Sequence, residues 1–283
     1  MQKTPPIDLP LLNTVSFKLK GDVMQLSGTS SLLWYKLAND QKDAHMKMFE
    51  AQPTTARDIE KFKEEIVNVK SVDDLMKNRT LLSVTLSAFQ LESEIDKTAF
   101  VRKMLTEDPT ADDSLVNRLV EPRWTKLANA LHGLNQDPDF FQNQNNVDAL
   151  LNGYKTNEFE KFEGQNADGV RESMYFKRIA GGVTEVSQIL ADKSLMEVVR
   201  VGLGLPESFQ SLEYEQQKAR LEKEIDIEDF EDPAKIDKMI ERYLIFTELN
   251  NSDPAANPVL SLFQPVSSGN SVGPQPISIN LNV

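Results

Sequence analysis

Apolar residues recur along most of this sequence at intervals of three and four, the spacing that gathers side chains on one face of an α-helix. The clearest case follows Asp232 and Pro233, where Ile236, Met239, Ile240, Tyr243, Leu244 and Phe246 form a stripe through AKIDKMIERYLIFTEL. Asp232 can accept hydrogen bonds from the first free amides of that helix, and Pro233, which has no amide to leave unpaired, suits its first turn. Residues 187–205 repeat the pattern with Ile189, Leu190, Leu195, Met196, Val198, Val199 and Leu203, and 212–224 is rich in strong helix formers. In TLLSVTLSAFQL (80–91), Leu81, Val84, Leu86, Ala88 and Leu91 fall at broadly helical spacing, while the β-branched residues and Phe89 also allow a strand. Few segments alternate polar with apolar, and no Asn-Gly or Asp-Gly pair marks a tight hairpin. The pattern predicts an all-α body.

That body contains an internal repeat. Laying Phe62 and Lys63 on Phe176 and Lys177 gives a register that runs without a gap to Leu91 and Leu205. Along it Val69 falls on Val183, Val72 on Val186, Leu75 on Ile189, Asn78 on Asp192, Leu81 on Leu195 and Val84 on Val198. Further on, ADDSLVNRL (111–119) pairs with DPAKIDKMI (232–240) after a few inserted residues. The matches are apolar positions and helix caps, which is what duplication of a helical unit preserves. Two copies are fewer than a solenoid needs, so one body of two related halves is expected.

The ends of the chain differ from its middle. Of the 14 prolines, Pro5, Pro6, Pro10, Pro254, Pro258, Pro265, Pro274 and Pro276 lie in the two ends, and from 252 to 283 the only charged side chain is Asp253. Composition therefore predicts an N-terminal arm at 1–28, a helical body at 29–250 with repeat units at about 56–134 and 169–250, and a C-terminal tail at 251–283. In PISINLNV, Ile277, Ile279, Leu281 and Val283 alternate strictly with polar residues, a possible terminal strand, and Leu260, Leu262, Phe263 and Val266 add apolar anchors upstream. A lone strand is unstable in water, so it must pair within its own fold, with a sister copy or with a partner's sheet edge. The other reading is a disordered tail with chance alternation. On the first reading these eight residues are the candidate partner-binding set.

Composition narrows the chemistry. The 31 Lys and Arg against 44 Asp and Glu give a net charge of −13, which repels phosphate backbones, so no nucleic-acid partner is expected. With no Cys there is no thiolate nucleophile, disulfide or Cys-type zinc site. No apolar run approaches the roughly 18 residues of a membrane span, and MQKTPPIDLPLLNT lacks the apolar core of a signal peptide. His45 has Asp40, Asp43 and Glu50 near it in sequence but no second His at helical spacing. His132 precedes Gly133 at a helix end, where a basic group favours the dipole. Asp73-Asp74, Glu64-Glu65 and Asp112-Asp113 fall near helix starts or on polar faces, where capping explains them. DIEDFEDP (226–233) lacks the spacing and glycine of a calcium loop, and the glycines at 181–182 and 202–204 lack phosphate-loop spacing, marking helix breaks and close packing instead. Trp34, Tyr35 and Trp124 are expected to anchor the core, with Arg123 pairing to an acid. Nothing here predicts a catalytic residue, a metal site or a cofactor.

The stretch SVDDLMKNRTLLSVTLSAFQL, then IDKTAFVRKMLTED, then SLVNRLVEPRWTKLANAL resembles the bacterial domain-of-unknown-function family 1217. The resemblance covers about 56 to 249. The second copy departs from it, with Gly202-Leu203 where the first has Ala88-Phe89 and without an Asn-Arg-Leu-x-x-Pro-Arg sequence. The family has no established enzymatic activity, and its genes are commonly found among flagellar genes. The resemblance therefore implies a non-enzymatic structural or assembly protein of the flagellum, exported without a cleaved signal, meeting other flagellar proteins or sister copies through its termini. The alternative it implies is a cytoplasmic adaptor or chaperone for flagellar export substrates.

Overall fold

Helices form along the segments with apolar stripes, and Asn78 and Asp192 mark sharp boundaries between successive helices by capping the second of each pair. The computed structural model describes residues 30–251, together with the backbone of 17–19 and 22–24. Strands β1 (Phe17–Leu19) and β2 (Asp22–Met24) pair antiparallel, with Phe17 opposite Met24. Among the described residues fourteen α-helices follow: α1 (Ser31–Asp40), α2 (Lys42–Glu50), α3 (Pro53–Ile66), α4 (Val72–Lys77), α5 (Arg79–Ser87), α6 (Thr98–Thr106), α7 (Leu115–Arg118), α8 (Pro122–Leu131), α9 (Gln144–Gly164), α10 (Val170–Ile179), α11 (Val186–Ala191), α12 (Lys193–Gly202), α13 (Tyr214–Glu224) and α14 (Pro233–Asn251). The fold is all-α, as the periodicity predicts, and the short hairpin is an addition that no turn signal announces. No helix among the described residues is long and apolar enough to cross a membrane.

The repeat is visible in the backbone. Helix α4 lies in the repeat register of α11 at both ends, and α5 lies in that of α12. Asn78 Oδ1 accepts from the amides of Thr80 and Leu81, and Asp192 Oδ1 accepts from those of Ser194 and Leu195. These caps settle two readings: 80–91 opens as helix rather than strand, and 187–205 divides at Asp192 into two helices. Both copies end alike, with the Leu91 amide donating to Leu86 O and the Leu205 amide to Arg200 O, each at 2.9 Å. The register closes there. Residues 115–118 make a single helical turn, whereas 233 opens a 19-residue helix, so the match of 111–119 with 232–240 joins unlike elements. A cap followed by a few apolar residues recurs at several helix starts, as at Ser71, Asn78 and Asp192, and cannot by itself fix a correspondence. Helix α8 is built more like α14: both have proline in the first turn and a buried stripe, Trp124, Leu127, Ala128 and Leu131 in one, Ile236, Ile240, Tyr243 and Leu244 in the other.

Two separate hydrophobic cores result. The first gathers Phe62, Leu75, Leu81, Met104, Trp124, Leu127 and Phe141, and the second gathers Phe159, Phe176, Ile189, Leu195, Leu221, Phe230 and Ile240. Phe176 meets Phe230 edge to face at 5.5 Å. Helices α1 and α2, first in sequence, close over the second core through Trp34, Tyr35 and Phe49. Helix α9 belongs to both: Val147, Leu150 and Leu151 enter the first core and Phe159 the second. At about 1.5 Å per residue it is a shaft of about 31 Å, and the segment between its two apolar ends is where polar side chains gather.

Candidate functional site at the junction of the two halves

Between its two apolar ends α9 presents Asn157, Glu158 and Glu160 to the end of α5 on one side and to α10 on the other. Asn157 Nδ2 donates to the carbonyl and hydroxyl of Ser87, at 3.0 and 2.9 Å, and the Ser87 hydroxyl donates to Glu158 at 2.7 Å. These bonds sit where α5 and α9 approach closely, since a Cβ on Gly153 would lie 2.7 Å from the Ala88 carbonyl oxygen. Glu160, only 3% exposed, accepts from Gln90 Nε2 at 3.0 Å and from both Nε and Nη2 of Arg178, at 2.7 and 3.0 Å. On the far side of Gln90, its carbonyl accepts from Arg123 Nη1 at 3.0 Å, and Arg123 forks onto both oxygens of Glu121. The Arg178 guanidinium lies 5.2 Å from the centre of the Tyr175 ring, and the Tyr175 hydroxyl donates to Asp192, the cap of α12. One polar chain thus runs from α8 through the end of α5 and α9 to α10 and α12.

Burial shifts these groups. It pushes the Glu160 carboxyl above its ordinary value, outweighing the opposing pull of Arg178. Burial and the Asp192 charge raise the Tyr175 hydroxyl. Burial works to lower Arg123, yet the bonds and charge of Glu121 hold it above the usual range. Clefts flank the junction on more than one side, and one of about 530 Å³ is lined by Ser87, Tyr154, Glu158 and Lys161. Another of about 220 Å³ is lined by Asn39, Lys42, Thr156, Phe159, Met174 and Lys177 together with Glu160 and Arg178, and one of about 70 Å³ lies over Gln90, Arg123 and Tyr175. Each buried charge along the chain faces an opposite charge or a donor. The arrangement therefore ties helices together and keeps the charged form of Arg123 in place.

The residues singled out from sequence fall as follows. His45 is buried and its Nδ1 lies 3.0 Å from Glu163, a partner 118 residues away rather than one of its sequence neighbours. Glu163 also accepts from Trp34 Nε1 at 3.0 Å, fixing α1 and α2 to α9. His132 lies 2.8 Å from Gln136 Nε2, just past the end of α8. Within the run 226–233, Ile227–Glu231 form a 3-10 turn whose Glu228 amide is capped by Asp226, and Asp232 caps Ala234 at the start of α14. Trp34, Tyr35 and Trp124 are buried, and Arg123 pairs with Glu121. Gly202 packs closely, as a Cβ there would lie 2.5 Å from Met239 Sδ. No group of three or more His, Cys, Asp or Glu among the described residues is placed to hold a metal ion. Leu260, Leu262, Phe263, Val266, Ile277, Ile279, Leu281 and Val283 lie outside the described residues. Gln90, Glu160 and Arg178 belong to no motif in the sequence. Only Gln90 carried a signal, because the repeat sets it opposite Gly204.

The family described as "Protein of unknown function (DUF1217)" matches residues 88–236, a span that holds Gln90, Glu121, Arg123, Glu160 and Arg178. The chain belongs to this family. No curated protein matches this DUF1217 chain. Among solved structures, the X-ray structure of protein AGR_C_984 from Agrobacterium tumefaciens is similar, with a TM-score of 0.68 and 29% identity over 80% of this chain and 98% of that one. The likeness therefore takes in nearly all of that protein and extends on this chain well past the 88–236 span.

Proposed function

We propose that this DUF1217 chain is a non-enzymatic structural or assembly component of the bacterial flagellum that acts through protein–protein contacts. The observation that carries the proposal is how the interior charges are engaged. Glu160 with Arg178, Glu121 with Arg123, and Glu163 with His45 and Trp34 all join one helix to another or brace a helix end. A body built this way serves as a rigid platform. Ser30 Oγ donates to Glu248 Oε2 at 2.8 Å, so the chain enters and leaves the platform at one place. The flagellar assignment itself comes from the resemblance and the gene neighbourhood it implies, which is an association rather than a mechanism.

The test is a deletion strain scored for motility and for flagellar morphology, with fractionation of the tagged protein. Impaired flagella, with protein in sheared filaments or hook–basal bodies, is the expected result. Normal motility with normal flagella overturns the flagellar proposal. The second reading, a cytoplasmic adaptor for export substrates, draws on the acidic helical body. It is favoured if the protein is purely soluble and substrates are lost in its absence.

A further inference from the structure

The cleft of about 220 Å³ beside Glu160 and Arg178 has donors that the protein itself does not use. Arg178 presents two hydrogen-bonding edges. The Nε/Nη2 edge is filled by Glu160, while Nη1 has no hydrogen-bond partner among the described residues. Lys42, exposed on α2, has no ion-pair partner among the described residues, and the Asn39 carboxamide makes no hydrogen bond among them. Lys177 is different, being held by Asp237 at 2.7 Å. All four line the same cavity of about 220 Å³, whose remaining wall includes the buried Phe159 and Met174. Lys42 is also close enough to act on the charge of Glu160. Within the cleft Arg178 offsets Glu160 and Asp237 offsets Lys177, which leaves Lys42 as one uncompensated positive charge in a chain whose net charge is −13.

We infer that this cleft binds a monoanionic carboxylate carrying a short apolar group. The open edge of a guanidinium matches the two oxygens of a planar carboxylate, and a single surplus charge matches a monoanion. A phosphate dianion would meet the nearby Glu160 carboxylate with twice the repulsion. Phe159 and Met174 supply the apolar surface for the rest of the ligand. The carboxylate can come from a free short-chain acid or from a glutamate side chain of a partner protein, and both present the same group. This inference stands apart from the flagellar proposal, since it concerns chemistry at the cleft whatever the body is attached to.

The experiment titrates the full-length, isotope-labelled protein with butyrate and with N-acetylglutamate amide, following backbone amide shifts. Butylamine and inorganic phosphate serve as controls. Saturable shifts at 39, 42, 156 and 177–178 are expected with at least one of the carboxylates. If butyrate alone acts, the source is a free acid; if the glutamate amide binds more tightly, it is a protein side chain. Lys42→Glu, at an exposed position, should weaken binding about tenfold or more, equivalent to about 1.4 kcal/mol, while amide shifts elsewhere in the body stay in place. Added salt should weaken it as well. Absence of saturable shifts with both carboxylates overturns the inference, as does unchanged affinity in Lys42→Glu or equal binding of butylamine.

Discussion

Gln90 holds the same left-handed backbone as Gly204, φ 58° against 71°, at the matching end of the other copy's helix. It is the one non-glycine with positive φ among the described residues, and its side chain and carbonyl are gripped by Glu160 and Arg123. An L-residue in that region is strained by about 1–2 kcal/mol, which the grip of Glu160 and Arg123 offsets. Gln90→Ala keeps the strain and loses the side-chain bond, while Gln90→Gly loses both. Urea denaturation should therefore find the alanine variant less stable than the glycine variant by about 1 kcal/mol. Equal stabilities would mean that position 90 carries no strain.

Glu160 and Glu92 should respond to pH in opposite senses. Burial raises Glu160, so the native state holds its proton more tightly than the unfolded chain. Its contribution is fully present below the ordinary value of 4.5 and is lost as pH rises through the native one. Wild type should lose stability relative to Glu160→Gln across that window. For Glu92, burial acts upward but is outweighed by Lys161 and Arg171, leaving a lowered value. Wild type should therefore gain on Glu92→Gln as pH rises toward 4.5 and keep that advantage above it. Paired denaturation curves at several pH values test both signs.

Glu163 is fully buried, and it accepts from Trp34 while meeting His45. Glu163→Ala leaves both rings without that carboxylate in a dry site and should cost about 3 kcal/mol or more. Glu163→Gln keeps an oxygen for the indole N–H and should cost distinctly less. Trp34 fluorescence, isolated by Trp124→Phe, reports the unfolding directly. Similar losses in the two variants would show that packing, not hydrogen bonding, dominates there.

Gly153 lies inside α9, where alanine would favour the helix by about 1 kcal/mol. A Cβ there, however, would sit 2.7 Å from the Ala88 carbonyl oxygen and 3.1 Å from the Ala88 Cβ. Backbone cannot yield as a flexible side chain can, so Gly153→Ala should destabilise the protein by about 1–3 kcal/mol despite its better propensity. A thermal melt that rises instead would show that α5 and α9 can separate without loss.

Local signals were legible in the sequence and cross-chain ones were not. The stripe and cap of α14, and the caps Asn78 and Asp192 in repeat register, are set by neighbouring residues and could be read from them. Glu160 with Arg178 and His45 with Glu163 could not. On a helix, a charge facing another helix and a charge facing water have the same periodicity. The fate of Asn78 and Asp192 shows how tertiary context then separates two copies. The side-chain amide of Asn78 donates to Glu65, whereas the carboxylate of Asp192 accepts from Tyr175, and each side chain has the polarity its neighbour requires.

The hydrogen bond between Ser30 and Glu248 has a consequence for chain order. A short linker from just past 248 back to 30 would close the body into a ring, which can be reopened between α9 and α10. In such a circular permutant α10 to α14 would run straight on into α1 and α2, so nearly all of the second core would come from one uninterrupted stretch of chain. In the natural order its earliest helices must wait for its latest ones. The permutant exchanges that long-range closure for a local one and should fold its second half faster, with the same final packing.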